Sequence, residues 1–182
     1  MLKWFTHRYI NKMERHYGYD ATYLHEMLDA SFPGFRRYMK MQMAPGKWSG
    51  GAPRNALFAA GIAGALVEDC GPCVQIGSDI ATENGMKGEV IRALLSGAPT
   101  DPDAQLGFDY GRALLHGSEN LDELRETIEK KWGKEGLIAM SLQAMTTRNY
   151  PVIKRALGHA KTCQKVRVGG VDVAVNQALK AA

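Results

Sequence analysis

The segment that decides the fold is residues 55–85, NALFAAGIAGALVEDCGPCVQIGSDIATENG. Its first half, Asn55 to Glu68, is rich in Ala and Gly, which predicts a helix that permits close contact with neighbouring helices. Its second half, Cys73 to Asn84, predicts another helix that stops at Gly85, since glycine favours the left-handed backbone that ends helices. The four residues from Cys70 to Cys73 join the two helices and contain two of the three cysteines. The segment therefore predicts two packed helices with a reactive pair at their junction.

The rest of the chain also predicts helices separated by short breaks. They are residues 1–17, 20–43 with an interruption at Pro33-Gly34, 88–95, 102–116, 120–132, and 134–157 with a kink near Pro151. Asp101 before a proline predicts a helix cap, and Asn120 with Glu123 predicts a capping box. Period-two alternation occurs only at residues 166–173, which can form a small terminal hairpin. The fold class is therefore all-α, a helical bundle.

The chain has 182 residues and a mass of 20.0 kDa, which fits one domain of ordinary size. Turn-forming residues between 44 and 53 predict a boundary inside it. We expect an N-terminal helical arm and loop at 1–51, a helical core at 52–158 and a basic tail at 159–182.

Charge and hydropathy exclude several functions. The net charge of +4 divides into +5 for residues 1–54, −6 for 55–153 and +5 for 154–182. Because the basic residues are scattered and no nucleic-acid motif accompanies them, no nucleic-acid partner is expected. The longest apolar stretch, Ala56 to Val67, is about twelve residues and falls short of the roughly twenty that span a bilayer. Residues 1–20 are charged throughout and do not resemble a secretory signal, so the expected compartment is the cytoplasm.

The first predicted helix is amphipathic. Its apolar positions at helical spacing are Leu2, Phe5, Tyr9, Met13 and Tyr17, with basic residues on the remaining surface. Such a helix can lie on a membrane or dock on a partner. The interpretation that we favour is packing on its own domain or on a sister subunit, so membrane contact is not expected.

The cysteine pair predicts redox chemistry. Residues three apart at the start of a helix lie on one face, within disulfide reach, and the helix N-terminus stabilises a thiolate. On this geometry Cys70 is the more exposed nucleophile and Cys73 the resolving thiol. Glu68 and Asp69 oppose this effect, because nearby negative charge disfavours a second anion. Thioredoxins share the tetrapeptide, but they need a strand before it, and this chain predicts a helix there.

The all-helical setting of the pair resembles another family. The residues that carry the likeness are Glu68 to Gly77, then Ala81, Glu83, Asn84 and Gly85, then Glu89, Val90, Ile91 and Ala93 to Leu95. They resemble the core of the carboxymuconolactone decarboxylase and alkylhydroperoxidase D-like superfamily, over roughly residues 52–158. The resemblance implies an all-α subunit that forms homo-oligomers and uses no cofactor. It also implies a thiol-dependent peroxidase or disulfide oxidoreductase that acts on a peroxide or disulfide and takes electrons from an external thiol system.

The chain departs from that family at two positions. The family's redox branch has a proton-relay His four residues after the second cysteine, where this chain has Gly77, and a relay Glu about twelve residues before the first, where it has Phe58. General acid–base help contributes about 10²–10⁴-fold in rate, so the loss matters. Glu68 is the nearby candidate to replace the relay, and His116 could reach the site only through the fold.

Two other interpretations stay open. In one, Cys70, Cys73, His159 and Cys163 form a Cys₃His zinc site, although the 85 residues between the two halves match no compact zinc module. In the other, the chain is a non-catalytic or small-molecule-binding member of the superfamily with a structural or vestigial disulfide. In that case Gly77, which lacks a side chain, opens space beside Cys73 for a ligand.

Overall fold

The computed structural model describes residues 2–159 and 165–180. Within these ranges the chain forms eight α-helices, a two-stranded hairpin and a short 3₁₀ helix. The helices are α1 (Leu2–Tyr17), α2 (Thr22–Ala30), α3 (Phe32–Gln42), α4 (Arg54–Val67), α5 (Gly71–Glu83), α6 (Gly88–Ser96), α7 (Pro102–His116) and α8 (Leu121–Ala156). The strands β1 (Lys165–Val168) and β2 (Val171–Ala174) are antiparallel, and the 3₁₀ helix is Gln177–Lys180. The predicted all-α class and the terminal hairpin are confirmed.

Helix α4 is the centre of the bundle and packs against both α7 and α8. The contacts bring backbone against backbone. A Cβ added to Gly107 of α7 would lie 2.1 Å from the carbonyl oxygen of Ala56, and one added to Gly64 would lie 2.5 Å from that of Ala144. No side chain fits at either glycine without movement of a helix. The close contact predicted from the Ala and Gly content of α4 is thus confirmed.

The predicted helix caps have different outcomes. Asp101 caps α7 as predicted, and its Oδ1 accepts hydrogen bonds from the backbone N–H groups of Asp103 and Ala104, both at 3.0 Å. The capping box at Asn120 is wrong, because the Asn120 side chain makes no cap hydrogen bond. The backbone of Asn120 is compact (φ −81°, ψ 4°) rather than extended as in most N-caps.

Of two predicted helix breaks, one is displaced and one is confirmed. The interruption placed at Pro33-Gly34 lies earlier, at Ser31, because proline is accepted in the first turn of α3 and the Ser31 side chain caps that helix. The break between residues 132 and 134 is confirmed, since Gly133 has non-helical angles (φ 72°, ψ 178°) inside α8. The chain remains helical through Pro151.

The N-terminal arm has a buried cluster of its own that continues onto the core. Its members include Ile10, Tyr23 and Leu28, and residues of α5 and α8 such as Ile76 and Ile153 pack against them. The division of the chain at residues 51 and 158 stays a prediction, but the arm lies directly on α5 and α8.

Helix α1 buries only part of its apolar face. Ile10 is buried, whereas Leu2, Phe5 and Tyr9 are exposed. Among the described residues, no helix combines the length and the apolar character that a bilayer span requires.

Candidate functional site

The end of α4 positions the cysteine pair. Asp69 adopts a left-handed backbone (φ 52°). Its amide donates a hydrogen bond to the carbonyl oxygen of Leu66 at 2.9 Å, and the amide of Cys70 donates one to the carbonyl oxygen of Ala65 at 3.3 Å. This is a Schellman motif, with an aspartate at the position that glycine usually occupies. The turn reverses the chain so that Cys70 becomes the N-cap residue of α5, with Pro72 in the first turn.

Cys70 and Cys73 form a disulfide, with their Cα atoms 5.3 Å apart. Only 4% of Cys70 and 3% of Cys73 is exposed, and both belong to the main core cluster. The expectation that Cys70 is exposed is therefore wrong, while its role as the nucleophile stays a prediction. The physical reason is the reversal at Asp69, which directs Cys70 back into the core rather than outward.

A cavity of about 360 Å³ lies beside Cys73. Most of its lining is apolar or aromatic, and Cys73, but not Cys70, is part of the wall. The residues that line it include Tyr19, Tyr23, Phe58, Cys73, Gly77 and Tyr150. Met43 and Gly46 are exposed and also line the cavity, so it reaches the surface after the end of α3. The sulfur that a small molecule can approach through this cavity is that of Cys73.

Gly77 leaves space in the wall, as predicted. A Cβ added there would meet only the Cγ1 atom of Ile62, at 3.8 Å, which is an ordinary contact. Phe58 lies on the same wall. Phe58 and Gly77 therefore both border the cavity, and neither carries a titratable side chain.

The arm supplies the opposite wall and a hydroxyl group near the disulfide. Helix α1 ends at Gly18 in a left-handed conformation (φ 58°), and the amide of Tyr19 donates to the carbonyl of Glu14 at 3.1 Å. This turn places the Tyr19 hydroxyl 4.0 Å from Cys73 Sγ. Tyr19 is 7% exposed, and burial raises its pKa to about 12 although a hydrogen bond with Tyr23 lowers it.

A buried lysine lies behind Tyr19. Lys154 of α8 is 2% exposed, and its Nζ donates to the Tyr19 hydroxyl at 3.4 Å. The same nitrogen lies over the rings of Tyr19 and Tyr23, 4.7 and 5.3 Å from their centroids. Sequence reasoning missed both Tyr19 and Lys154. The signal for Lys154 was its place on the buried stripe of α8, three residues after Pro151.

The Glu68 carboxylate forms ion pairs with two arginines of α8. Its side chain is 7% exposed, and its two carboxylate oxygens accept hydrogen bonds from Arg148 and Arg155. Burial raises the pKa of Glu68, but these two hydrogen bonds and charges outweigh it and hold the pKa below its usual value. Asp69 is paired with Lys180 at 2.5 Å. The two negative charges expected to oppose a thiolate are thus offset by cations.

The zinc interpretation depends on residues that are not all described. Cys163 lies outside the described residues. His159 Nε2 is 2.7 Å from Glu26 Oε2 on α2. In the two described ranges, no group of three or more His, Cys, Asp or Glu side chains could hold a metal ion. His116 is not among the residues that line the cavity.

Comparison with known proteins adds no relative. No family model matches the chain, and neither does any curated protein or solved structure. The likeness to the alkylhydroperoxidase D-like superfamily therefore rests on the sequence around the cysteine pair.

Proposed function

We propose that this chain is a thiol-dependent disulfide oxidoreductase or peroxidase of the alkylhydroperoxidase D-like type. Cys70 and Cys73 are the catalytic pair and cycle between dithiol and disulfide. The observation that carries the proposal is the position of Cys73, which is bonded to a second cysteine and also forms part of a cavity wall. A buried structural disulfide does not need such an opening.

The cavity favours Cys73, rather than Cys70, as the sulfur that meets the substrate. With a hydroperoxide, the Cys73 thiolate attacks the terminal oxygen, the O–O bond breaks, and the alkoxide leaves as an alcohol after it gains a proton. Cys73 becomes a sulfenic acid. The Cys70 thiol then attacks the Cys73 sulfur, which forms the disulfide and releases water. An external dithiol restores both thiols and is itself oxidised to a disulfide.

The electrostatics of the pair support a reactive thiolate. Both sulfurs lie at the N-terminus of α5, where the backbone N–H groups and the helix dipole favour negative charge. The carboxylates of Glu68 and Asp69 are paired with basic side chains. We assign Glu68 a positioning role, because a carboxylate held ionised by two guanidinium groups is a poor proton donor.

A second candidate is a superfamily member that binds a small molecule and keeps the disulfide as a structural link. The burial of both sulfurs and the apolar lining of the cavity favour it. The two candidates differ in the reduction potential of the pair. A structural disulfide has a potential below about −300 mV, whereas a catalytic pair lies closer to the glutathione pool.

Homo-oligomerisation is part of the same proposal. The exposed apolar positions on the first half of α1, Leu2, Phe5 and Tyr9, are the surface that supports it. Sedimentation velocity on the full chain measures the number of subunits. A monomer at micromolar concentration would contradict the proposal.

The decisive experiment measures both the reduction potential of the Cys70–Cys73 pair and its catalytic turnover. The purified chain is equilibrated in glutathione buffers to obtain the Cys70–Cys73 potential, and dithiol-dependent consumption of an organic hydroperoxide or a small disulfide is then followed. We expect Cys70→Ser and Cys73→Ser to abolish turnover and Cys163→Ser, the matched control, to retain it. Undiminished turnover in Cys70→Ser or Cys73→Ser would contradict the paired mechanism. A potential below about −300 mV would favour the second candidate.

A further inference from the structure

We propose that Tyr19 is the proton-transfer group of this site and that Lys154 is its positioning residue. Together they take the place of the relay that Phe58 and Gly77 cannot supply. The inference rests on the proposed function, since it concerns protons that move while Cys73 reacts. No other part of the molecule brings a hydroxyl group to Cys73 among the hydrogen bonds of the described residues.

The geometry defines the direction of the hydrogen bonds. Lys154 Nζ has only protons to give, so it donates to the Tyr19 oxygen, 3.4 Å away. The Tyr19 hydroxyl proton is then free to point at an acceptor. Two acceptors are within reach, the Tyr23 hydroxyl at 3.3 Å and Cys73 Sγ at 4.0 Å. A thiolate is the stronger acceptor because hydrogen bonds to charged groups are stronger.

Burial strengthens the interaction. Tyr19, Lys154 and Cys73 are each at most 7% exposed. Hydrogen bonds and charges act more strongly where water is excluded. Tyr19 also stays protonated in neutral solution, because its pKa is raised to about 12. It therefore keeps a proton to donate throughout the physiological range.

The proton balance closes on Tyr19. The Cys73 thiol releases its proton to solvent when the thiolate forms, and the alkoxide that leaves after the attack on a hydroperoxide then needs one proton. Tyr19 gives its hydroxyl proton to the alkoxide and takes one back from solvent, which reaches the cavity through its opening at the surface. Tyr19 is therefore neutral before and after the step. The Nζ–H of Lys154 stabilises the partial negative charge that collects on the phenolic oxygen during the exchange.

The test separates this relay from the cysteine mechanism itself. In a Cys70→Ser background, which leaves Cys73 as a free thiol, alkylation of Cys73 by iodoacetamide is followed against pH. Tyr19→Phe removes one hydroxyl, and we expect it to move the apparent thiol pKa upward by about one unit or more. The matched control is Tyr38→Phe, a buried tyrosine whose hydroxyl has no hydrogen-bond partner in the described part of the chain.

Turnover gives the second measurement. In the chain with both cysteines, we expect Tyr19→Phe to lower the rate with a hydroperoxide by about 100-fold or more, while the Cys70–Cys73 disulfide still forms and is still reduced by dithiol. Lys154→Met should shift the pH profile of Cys73 alkylation in the same direction as Tyr19→Phe does. Lys154→Arg should restore part of the turnover that Lys154→Met loses.

Each outcome decides a different statement. Equal alkylation profiles in Tyr19→Phe and Tyr38→Phe would overturn the relay, whatever the turnover. The unmodified chain could show no turnover while Tyr19→Phe still shifts the pH profile of Cys73 alkylation. That result would overturn the proposed function but would support the contact between Tyr19 and Cys73. If Lys154→Met does not fold, Tyr19→Phe alone decides, because it changes no charge and little volume.

Discussion

Phe58 of α4 and Gly77 of α5 line the same cavity, and Cys73 lies on its wall with them. A phenyl ring and a missing side chain make the cavity wall apolar at these two positions. The space beside Gly77 is open, because a Cβ added there would meet a single atom within 4 Å. At these two positions the cavity wall therefore has an apolar ring and open space rather than a titratable group.

Gly77→Ala should stabilise the fold. Glycine inside a helix is destabilising by roughly 0.5–1 kcal/mol relative to alanine, and the added Cβ would meet Ile62 Cγ1 at a comfortable 3.8 Å. We expect the free energy of unfolding in urea to rise by about 0.5–1 kcal/mol. A loss of stability would show that the wall of the cavity is closed at this position.

Gly107→Ala should have the opposite effect. The new Cβ would lie 2.1 Å from the carbonyl oxygen of Ala56, and helix backbone cannot move aside as a side chain can. Overpacking of this kind costs about 2 kcal/mol or more, beyond the helix propensity that alanine gains. Urea unfolding measures the loss, with Gly77→Ala as the matched substitution in open space. Equal stability in the two variants would contradict the close packing of α4 and α7.

Asp101→Ala and Asn120→Ala test two caps that the sequence predicts alike. Asp101 accepts two backbone hydrogen bonds at 3.0 Å and one from Asn55 Nδ2 at 2.9 Å, so its loss should cost about 1 kcal/mol or somewhat more. Asn120 makes no cap bond, and its replacement should change the free energy of unfolding by less than about 0.5 kcal/mol. Thermal melting curves of the two variants, recorded in the same buffer, measure both losses of stability. Equal losses would contradict the difference between the two caps.

Glu68→Gln should alter the acid limb of the stability curve. Because hydrogen bonds from Arg148 and Arg155 outweigh burial and hold the pKa of Glu68 below its usual 4.5, the ionised side chain stabilises the fold above that pH. The contribution is lost as the pH falls through the lowered pKa. At neutral pH we expect Glu68→Gln to lose about 1–3 kcal/mol.

The difference between Glu68→Gln and the unmodified chain should shrink as the solution is acidified below pH 4.5. Urea unfolding at a series of pH values measures it. The control is Glu89→Gln, which alters an exposed pair 3.8 Å from Lys87 and should change stability by about 1 kcal/mol at most. If the free energy of unfolding differed by the same amount at every pH, the result would contradict the ion pairing of Glu68 with Arg148 and Arg155.

Features with a local signal could be predicted from the sequence. The Ala and Gly content of α4 predicts its close packing, alternation predicts the hairpin, and Asp101 before proline predicts its cap. Asn120 fails because the capping signature names side chains but not the backbone angles that let them reach. The break at Ser31 was misplaced because proline both ends helices and begins them.

Features that depend on distant residues could not be predicted. The arginines that cover Glu68 lie 80 and 87 residues along the chain, and Lys154 lies 135 residues from Tyr19. Nothing in the local sequence around Cys70 shows that a left-handed Asp69 turns it into the core. These contacts arise from the packing of α8 and the arm on the central helices, which only the folded chain defines.

The distance along the chain between Tyr19 and Lys154 also orders events during synthesis. A ribosome makes Tyr19 first, Cys73 later and Lys154 last. Folding during synthesis starts with the N-terminal part of a chain. Until α8 has been made and has closed on the arm, Cys73 has neither its cavity nor its lysine. The contact of Tyr19 with Cys73 and the hydrogen bond from Lys154 can therefore form together only after α8 has been synthesised.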